Sequence, residues 1–260
     1  MERAIAFARD YWTDTMRALG FLSRLRVRDR WFEGHNGRYE RTARAFPLAA
    51  VLATAPAALA LASLAAIGTP PLLAGAIATA LGLLVTGALH EDGLADTFDG
   101  LGVRDPRKRL GAMRDSATGV FGLCALVCAL LIRVACLAAL AVFPIGAIVA
   151  WLFAAAGGRA AMVYLWNRTP AADESGAAVG AGQPNEGAVR MAIVSAALFA
   201  VPALLYGPLA LAVGIIAVFA VIRTVRTRVA EPIGGHSGDV LGATAVLGEL
   251  ALLSPLAVVA

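Results

Sequence analysis

Long uncharged apolar runs alternate with short polar segments along this chain. The runs at 47–67, 70–89, 119–141, 145–165 and 240–260 each hold close to the ~20 residues that an α-helix needs to cross a bilayer core. A further run, 191–222, extends over 32 residues without a charge and is interrupted by Pro202 and by Tyr206-Gly207-Pro208. It is too long for one span and predicts two short ones, which makes seven. Backbone polar groups facing lipid must be satisfied within their own segment, so each run is expected to be helical. The pattern predicts an all-α, polytopic integral membrane helical bundle of about seven transmembrane helices, one membrane-embedded domain over 1–260. Residues 4–27 mix Arg with Phe, Trp, Tyr and Leu at helical spacing and lack the apolar core of a signal peptide. They predict an N-terminal amphipathic interfacial helix, either lying on the membrane surface or docked on the bundle.

Composition agrees with that class. Apolar residues make up 59% and charged residues 15% of the chain, and the mean hydropathy is +0.75, outside the range of soluble proteins. The basic residues then orient it. Of 22 Lys and Arg, ten lie in 1–46, five in 90–118, two in 166–190 and three in 223–239. The linkers near 68–69, 142–144 and 207 contain none. All basic segments fall on one side of a seven-span bundle, which the positive-inside rule makes cytoplasmic, with the N-terminus on that side. No recognition motif accompanies these residues, so nucleic acid is not an expected partner. Cys124, Cys128 and Cys136 all lie in the third span without metal-ligand spacing and read as small packing residues. Tyr164, Trp166 and Asn167 read as interfacial anchors.

The candidate chemistry gathers on the cytoplasmic side. No charge occurs between Arg44 and His90, and then His90-Glu91-Asp92-Gly93-Leu94-Ala95-Asp96-Thr97-Phe98-Asp99-Gly100 follows at once. Asp92, Asp96 and Asp99 stand at i, i+4 and i+7 and share one helical stripe. Three carboxylates on one stripe repel one another unless a cation neutralises them, and hard oxygens suit Mg²⁺, or Mn²⁺, with water and substrate phosphate completing the shell. Two further polar groups share this side: Arg104 to Arg109 with Met113-Arg114-Asp115-Ser116, and Gly234-Gly235-His236-Ser237-Gly238-Asp239. Glycines let backbone N–H groups approach a phosphate, and arginines clamp its oxygens. The set predicts a diphosphate site at the membrane surface, with Asp92, Asp96 and Asp99 as metal ligands. One of these, or Asp115 or Asp239, is a candidate proton acceptor. His90 points off the acidic stripe and is either a base or an interfacial cap. Glu91 is also off it, a solvated group or an arginine's partner. Arg114, Ser116, Gly234, Gly235, Gly238 and Asp239 are candidate substrate contacts. Capping the third span is the alternative for Asp115 and Ser116, and capping the seventh is the alternative for the Gly-rich loop. Of the charges inside spans, Arg159 is placed to reach the substrate or to pair with Glu249, and Arg133 has no evident partner.

HEDGLADTFDGLG at 90–102, MRDSATGVFG at 113–122 and GGHSGDVLGA at 234–243 together resemble the cobalamin synthase family, the adenosylcobinamide-GDP ribazoletransferases. FLSRLRV at 21–27, Arg41/Arg44-Ala-Phe-Pro and Gly157-Gly158-Arg159 match in the same order, so the resemblance covers nearly the whole chain. The second motif departs from the family's usual RDSRIGSFG at Ala117, Thr118 and Val120, and a basic residue often found at 117 is missing. The resemblance implies a bacterial inner-membrane transferase with its active site facing the cytoplasm. It implies attack of a ribose hydroxyl of α-ribazole, or of its 5′-phosphate, on adenosylcobinamide-GDP, with GMP leaving and Mg²⁺ required. It also implies residues 90–118 as the catalytic loop, and other cobalamin-assembly enzymes as partners. Small-residue stretches such as 53–66 suit close helix packing, an expectation that extends to a homo-oligomer. The start Asp92-Gly93-Leu94-Ala95-Asp96 is also similar to the Asp-Gly-x-x-Ala-Arg motif of CDP-alcohol phosphotransferases, with Asp96 in place of the arginine. That family remains the alternative reading. An ion or metal transporter is a further alternative, which the rim position of the acids disfavours.

Overall fold

The computed structural model describes residues 1–115, 117–173 and 180–260. Its helices in chain order are α1 (Glu2–Leu22), α2 (Phe46–Ala66), α3 (Pro71–Thr86), α4 (Leu89–Gly102), α5 (Pro106–Met113), α6 (Val120–Leu140), α7 (Pro144–Arg168), α8 (Glu186–Ala203), α9 (Pro208–Val225) and α10 (Gly238–Val258). A proline stands in the first turn of α2, α3, α5, α7 and α9, where its missing N–H is not needed. Among the described residues, the extended pairing is one isolated parallel bridge, Ala171 to His236.

Six stretches are long and apolar enough to cross a bilayer: Thr42–Ala66, Val120–Leu140, Pro144–Arg168, Glu186–Tyr206, Pro208–Ile233 and Gly238–Val258. The 191–222 run divides as expected, at a tight turn over Leu204–Tyr206 followed by Gly207 with φ of 90°. The seventh crossing differs from the expected single helix. The run 70–89 gives the 16-residue α3, and the chain then turns through 91° into α4. Gly87 and Ala88 both take left-handed backbone at the bend (φ 66° and 55°), a conformation that a non-glycine residue such as Ala88 adopts at a cost of about 1–3 kcal/mol. We read α3 as the seventh span. The 14-residue α4, short and acidic, turns away from the α3 axis and packs against α10 and α6.

The centre of the bundle is α7 against α10. Gly158 makes that crossing close: a Cβ there would stand 2.4 Å from the carbonyl oxygen of Ala245, and Gly248 lies opposite. Around this pair sit α2, α4, α6, α8 and α9, with α3 packed outside them against α2 and α6. Cys136 is buried, its thiol against Ser254 of α10, whereas Cys124 and Cys128 are exposed on the outer face of α6 and do not pack inside. The N-terminal helix resolves into two halves. Its first ten residues are exposed, while Asp14, Thr15, Ala18, Leu19 and Leu22 are buried against the bundle. Asp14 accepts hydrogen bonds from Arg44 there at 2.7 Å, so the helix is docked by a buried ion pair.

Candidate active site

The acidic motif is helical, and its glycine has a definite use. A Cβ on Gly93 would lie 2.9 Å from the Asp239 backbone. Glycine therefore lets α4 press against the first turn of α10, and Gly242 faces His90 across the same crossing. The contact brings Asp92 and Asp96 beside Asp239. Partial burial, followed by the charges of Asp92, Asp239 and Asp99, pushes the Asp96 carboxyl up to about 6.

Asp99 points elsewhere. Its carboxylate accepts the backbone N–H of Gly119 at 2.7 Å and that of Gly122 at 2.8 Å, which caps the start of α6. A residue of another helix thus takes the capping role that is one of the two readings for Asp115. Asp115 is exposed and accepts the nearby N–H of Ala117. Ser116 lies outside the described residues. Arg114, also exposed, pairs with Asp173 and stands near enough to act on Asp239 electrostatically.

A cavity of about 420 Å³ opens between α1, α4, α7 and α10. Its polar wall includes His90, Asp92, His236, Gly238 and Asp239, and its apolar wall includes Phe21, Tyr39, Met162 and Trp166. Trp166 is therefore a cavity wall rather than an interfacial anchor, its Nε1 donating to the carbonyl of Gly182. Both histidines are 2% exposed, and among the described residues the Nε2 of each has no hydrogen-bond partner. Their other nitrogens settle which tautomer each carries. His236 Nδ1 lies 3.1 Å from the Thr169 carbonyl oxygen, which can only accept, and 3.1 Å from the Thr169 hydroxyl, whose own proton goes to the Leu165 carbonyl at 2.9 Å. Nδ1 therefore carries the proton, and Nε2 presents a lone pair. Burial lowers the pKa of His236 and keeps it neutral. His90 is the reverse case: its Nδ1 lies 3.4 Å from Arg159 Nη2, which can only donate. Nδ1 therefore accepts, and Nε2 carries the hydrogen. One ring is an acceptor and the other a donor.

Arg159 does not line the cavity. It donates to Glu249 at 2.7 Å, and Arg133 joins Glu249 at 3.2 Å and Glu91 at 2.7 Å. Trp151 Nε1 also donates to Glu249. Two arginines and two glutamates thus make a buried, neutral cluster that spans α4, α6, α7 and α10 and orients His90. It accounts for Glu91 and for Arg133. In the Gly-rich loop, a Cβ on Gly235 would meet the Pro170 carbonyl oxygen at 2.2 Å, so that glycine allows a close pass of two backbones. His236 is fixed there by its N–H to Pro170 and its carbonyl to Ala172. Ser237 caps α10 by accepting from Val240. Gly234 and Gly238 have open space where a Cβ would stand, and Gly238 faces the cavity.

The donor set fits a hard divalent cation in type and charge, given the carboxylate crowding around Asp96. Among the described residues no three His, Cys, Asp or Glu side chains converge to form a closed protein cage. Waters and a substrate phosphate would complete the shell.

Residues 14–257 match the family model described as cobalamin-5-phosphate synthase. A relative from Rhizobium meliloti (strain 1021), adenosylcobinamide-GDP ribazoletransferase, is 43% identical, with 97% of this chain and 99% of the relative covered. The protein of that name from Brucella ovis is 38% identical over 92% of this chain and 94% of the relative. No solved structure matches the chain.

Proposed function

The chain belongs to the cobalamin-5-phosphate synthase family, and we propose on that premise that it transfers the cobinamide-phosphate group of adenosylcobinamide-GDP to α-ribazole or its 5′-phosphate. The observation that carries this reading is the shared cavity of His90, Asp92, His236 and Asp239, in which the two imidazoles present opposite hydrogen-bonding sense. A phosphoryl transfer to an alcohol needs an acceptor for the hydroxyl proton and a donor for the phosphate oxygens. His236 and His90 supply one each.

The flat base of α-ribazole enters against Tyr39, Met162 and Trp166, and its ribose hydroxyl meets His236 Nε2. That lone pair takes the proton as the hydroxyl oxygen bonds to the cobinamide-side phosphorus. The bond from this phosphorus to the bridging oxygen breaks, and GMP leaves with that oxygen. His90 Nε2–H donates to an oxygen of the phosphate being transferred. Asp92 and Asp96 would hold Mg²⁺, with Asp239 beside them, and the ion would supply charge neutralisation on the diphosphate. The corrinoid is too large for about 420 Å³ and stays outside the cavity, where the exposed Arg114 stands near Asp239. The positive-inside pattern supports a bacterial inner-membrane location with this mouth facing the cytoplasm.

The test is product analysis with purified protein in liposomes given adenosylcobinamide-GDP and α-ribazole, with Mg²⁺ or with EDTA. The proposal expects equimolar GMP and adenosylcobalamin with Mg²⁺ and neither with EDTA. Turnover of a CDP-alcohol with no cobamide formed would overturn it.

A further inference from the structure

We propose that a second site on this protein, separated from the first by the body of α7, binds a phospholipid with a net negative headgroup. The argument starts from the two faces of α7. Met162 and Trp166 look into the cavity described above, while Gly157, Ala161, Tyr164 and Arg168 look the other way. On that other side α7, α8, α9 and α10 leave an apolar slot of about 270 Å³. Small residues open it, Gly157 and Ala161 on α7 and Ala196 and Ala197 on α8, and Phe219 and Leu252 wall it.

The slot continues into a polar mouth. Tyr164, Phe219 and Ile222 line both the slot and an adjoining recess of about 490 Å³, whose other walls include Arg168, Arg223 and Arg226. These three arginines are exposed. Arg168 pairs with Glu186 at 3.3 Å and Arg226 with Glu231 at 3.2 Å, both pairs open to water. Among the described residues Arg223 has no ion-pair partner. With Glu231 in the recess and Glu186 paired to Arg168, the mouth keeps an excess of one positive charge, carried by Arg223. Arg168 also stands 5.3 Å from the centroid of the Tyr164 ring, which holds its guanidinium at the junction of slot and mouth.

Length decides the class of ligand. From Phe153 to Arg168 the α7 wall runs about 22 Å, and from Ile215 to Arg226 the α9 wall runs about 16 Å, at 1.5 Å per residue. One leaflet of a ~30 Å hydrocarbon core is about 15 Å deep. An apolar groove one leaflet long, ending in arginines on the basic side of the bundle, matches an acyl chain joined to a phosphate. A free phosphate would use the mouth alone, and a second copy of the chain would have to bring an acidic patch opposite these arginines. Arginines close to the membrane surface attract anionic lipid, each by about fivefold in affinity.

The experiment is native mass spectrometry of the full chain released from detergent after exposure to long-chain phosphatidylglycerol, phosphatidylcholine or glycerol phosphate. Two variants accompany it, Arg223→Gln/Arg226→Gln, which weakens the mouth, and Ala197→Phe, which fills the slot and leaves the charges. Circular dichroism confirms that each is helical. None of these three residues belongs to the catalytic cavity, so the result is independent of the transfer reaction. The proposal expects one retained phosphatidylglycerol per wild-type chain, at least tenfold less phosphatidylcholine, and no competition by glycerol phosphate. Both variants should lose the lipid, the double arginine variant by roughly 25-fold in affinity. Equal retention of phosphatidylcholine would overturn the anionic headgroup, and displacement by glycerol phosphate would overturn the chain slot. Undiminished lipid on either variant, or a dimer that Ala197→Phe separates, would overturn the site itself.

Discussion

The imidazoles of His90 and His236 enter one cavity with opposite hydrogen-bonding sense. His90 receives a hydrogen bond from Arg159 on its Nδ1, and His236 gives its Nδ1 proton to the carbonyl of Thr169. Each inner nitrogen thereby dictates what the outer one can do. A donor and an acceptor stand in the wall of the same cavity without either ring having to change its charge.

That relationship makes His236 the residue whose loss should affect the chemical step. Steady-state GMP release by His236→Ala is expected to show kcat lower by about 10²- to 10⁴-fold, the usual contribution of a positioned base. KM for adenosylcobinamide-GDP should stay near its original value. An unchanged kcat would move the proton to another group.

Asp99 behaves differently from its neighbours on the stripe. Because its oxygens take the N–H groups of Gly119 and Gly122, Asp99→Ala should destabilise the protein by about 0.5–2 kcal/mol through loss of a helix cap. Residual turnover should be measurable in the folded fraction. Thermal melts paired with activity per folded molecule check this. Full stability with abolished turnover would assign Asp99 to the chemistry instead.

The Asp96 carboxyl gives a pH signature. Its folded value is raised from 3.8 to about 6, so ionising it opposes folding. That penalty is absent below the unfolded value and complete above the folded one. In metal-free protein, Asp96→Asn should therefore melt higher than wild type above pH ~6, and the gap should close as pH falls toward ~4. Added Mg²⁺ should raise the wild type and narrow the gap at pH 7.5. A gap independent of pH would contradict the crowding of carboxylates around Asp96.

The buried cluster predicts a purely structural loss. Glu249 joins Arg133, Arg159 and Trp151, so Glu249→Ala leaves two buried guanidinium groups short of a partner. A destabilisation of about 3–5 kcal/mol is expected, read as the shift in a denaturation curve in detergent. A shift below ~1 kcal/mol would mean that the cluster is hydrated.

Much of this was legible in the sequence for physical reasons. Charge-free length and the Tyr206-Gly207-Pro208 break marked the spans because bilayer thickness and proline chemistry act locally. The pairing of Arg159 with Glu249 could be read because intramembrane charges need partners. What stayed hidden depends on contacts far apart in the chain. Asp99 has the same spacing as two cavity-side acids, and only the amides of Gly119 and Gly122, 20 and 23 residues on, make it a cap. His236 carries little weight on its own, since Thr169, 67 residues earlier, sets its tautomer. The approach of Asp239 to Asp92 and Asp96 follows from the missing side chain of Gly93. The 91° bend relies on left-handed Ala88, which no propensity announces. The HEDG start of the motif was the one available signal: its glycine marks a close helix crossing.

The most direct measurement is GMP release in liposomes by wild type and Asp92→Asn, each with and without α-ribazole at fixed Mg²⁺. The account predicts acceptor-dependent GMP from wild type and none from Asp92→Asn, although the variant keeps its helical content and membrane insertion. Wild-type rates from Asp92→Asn would show that transfer does not occur in the cavity between α4 and α10.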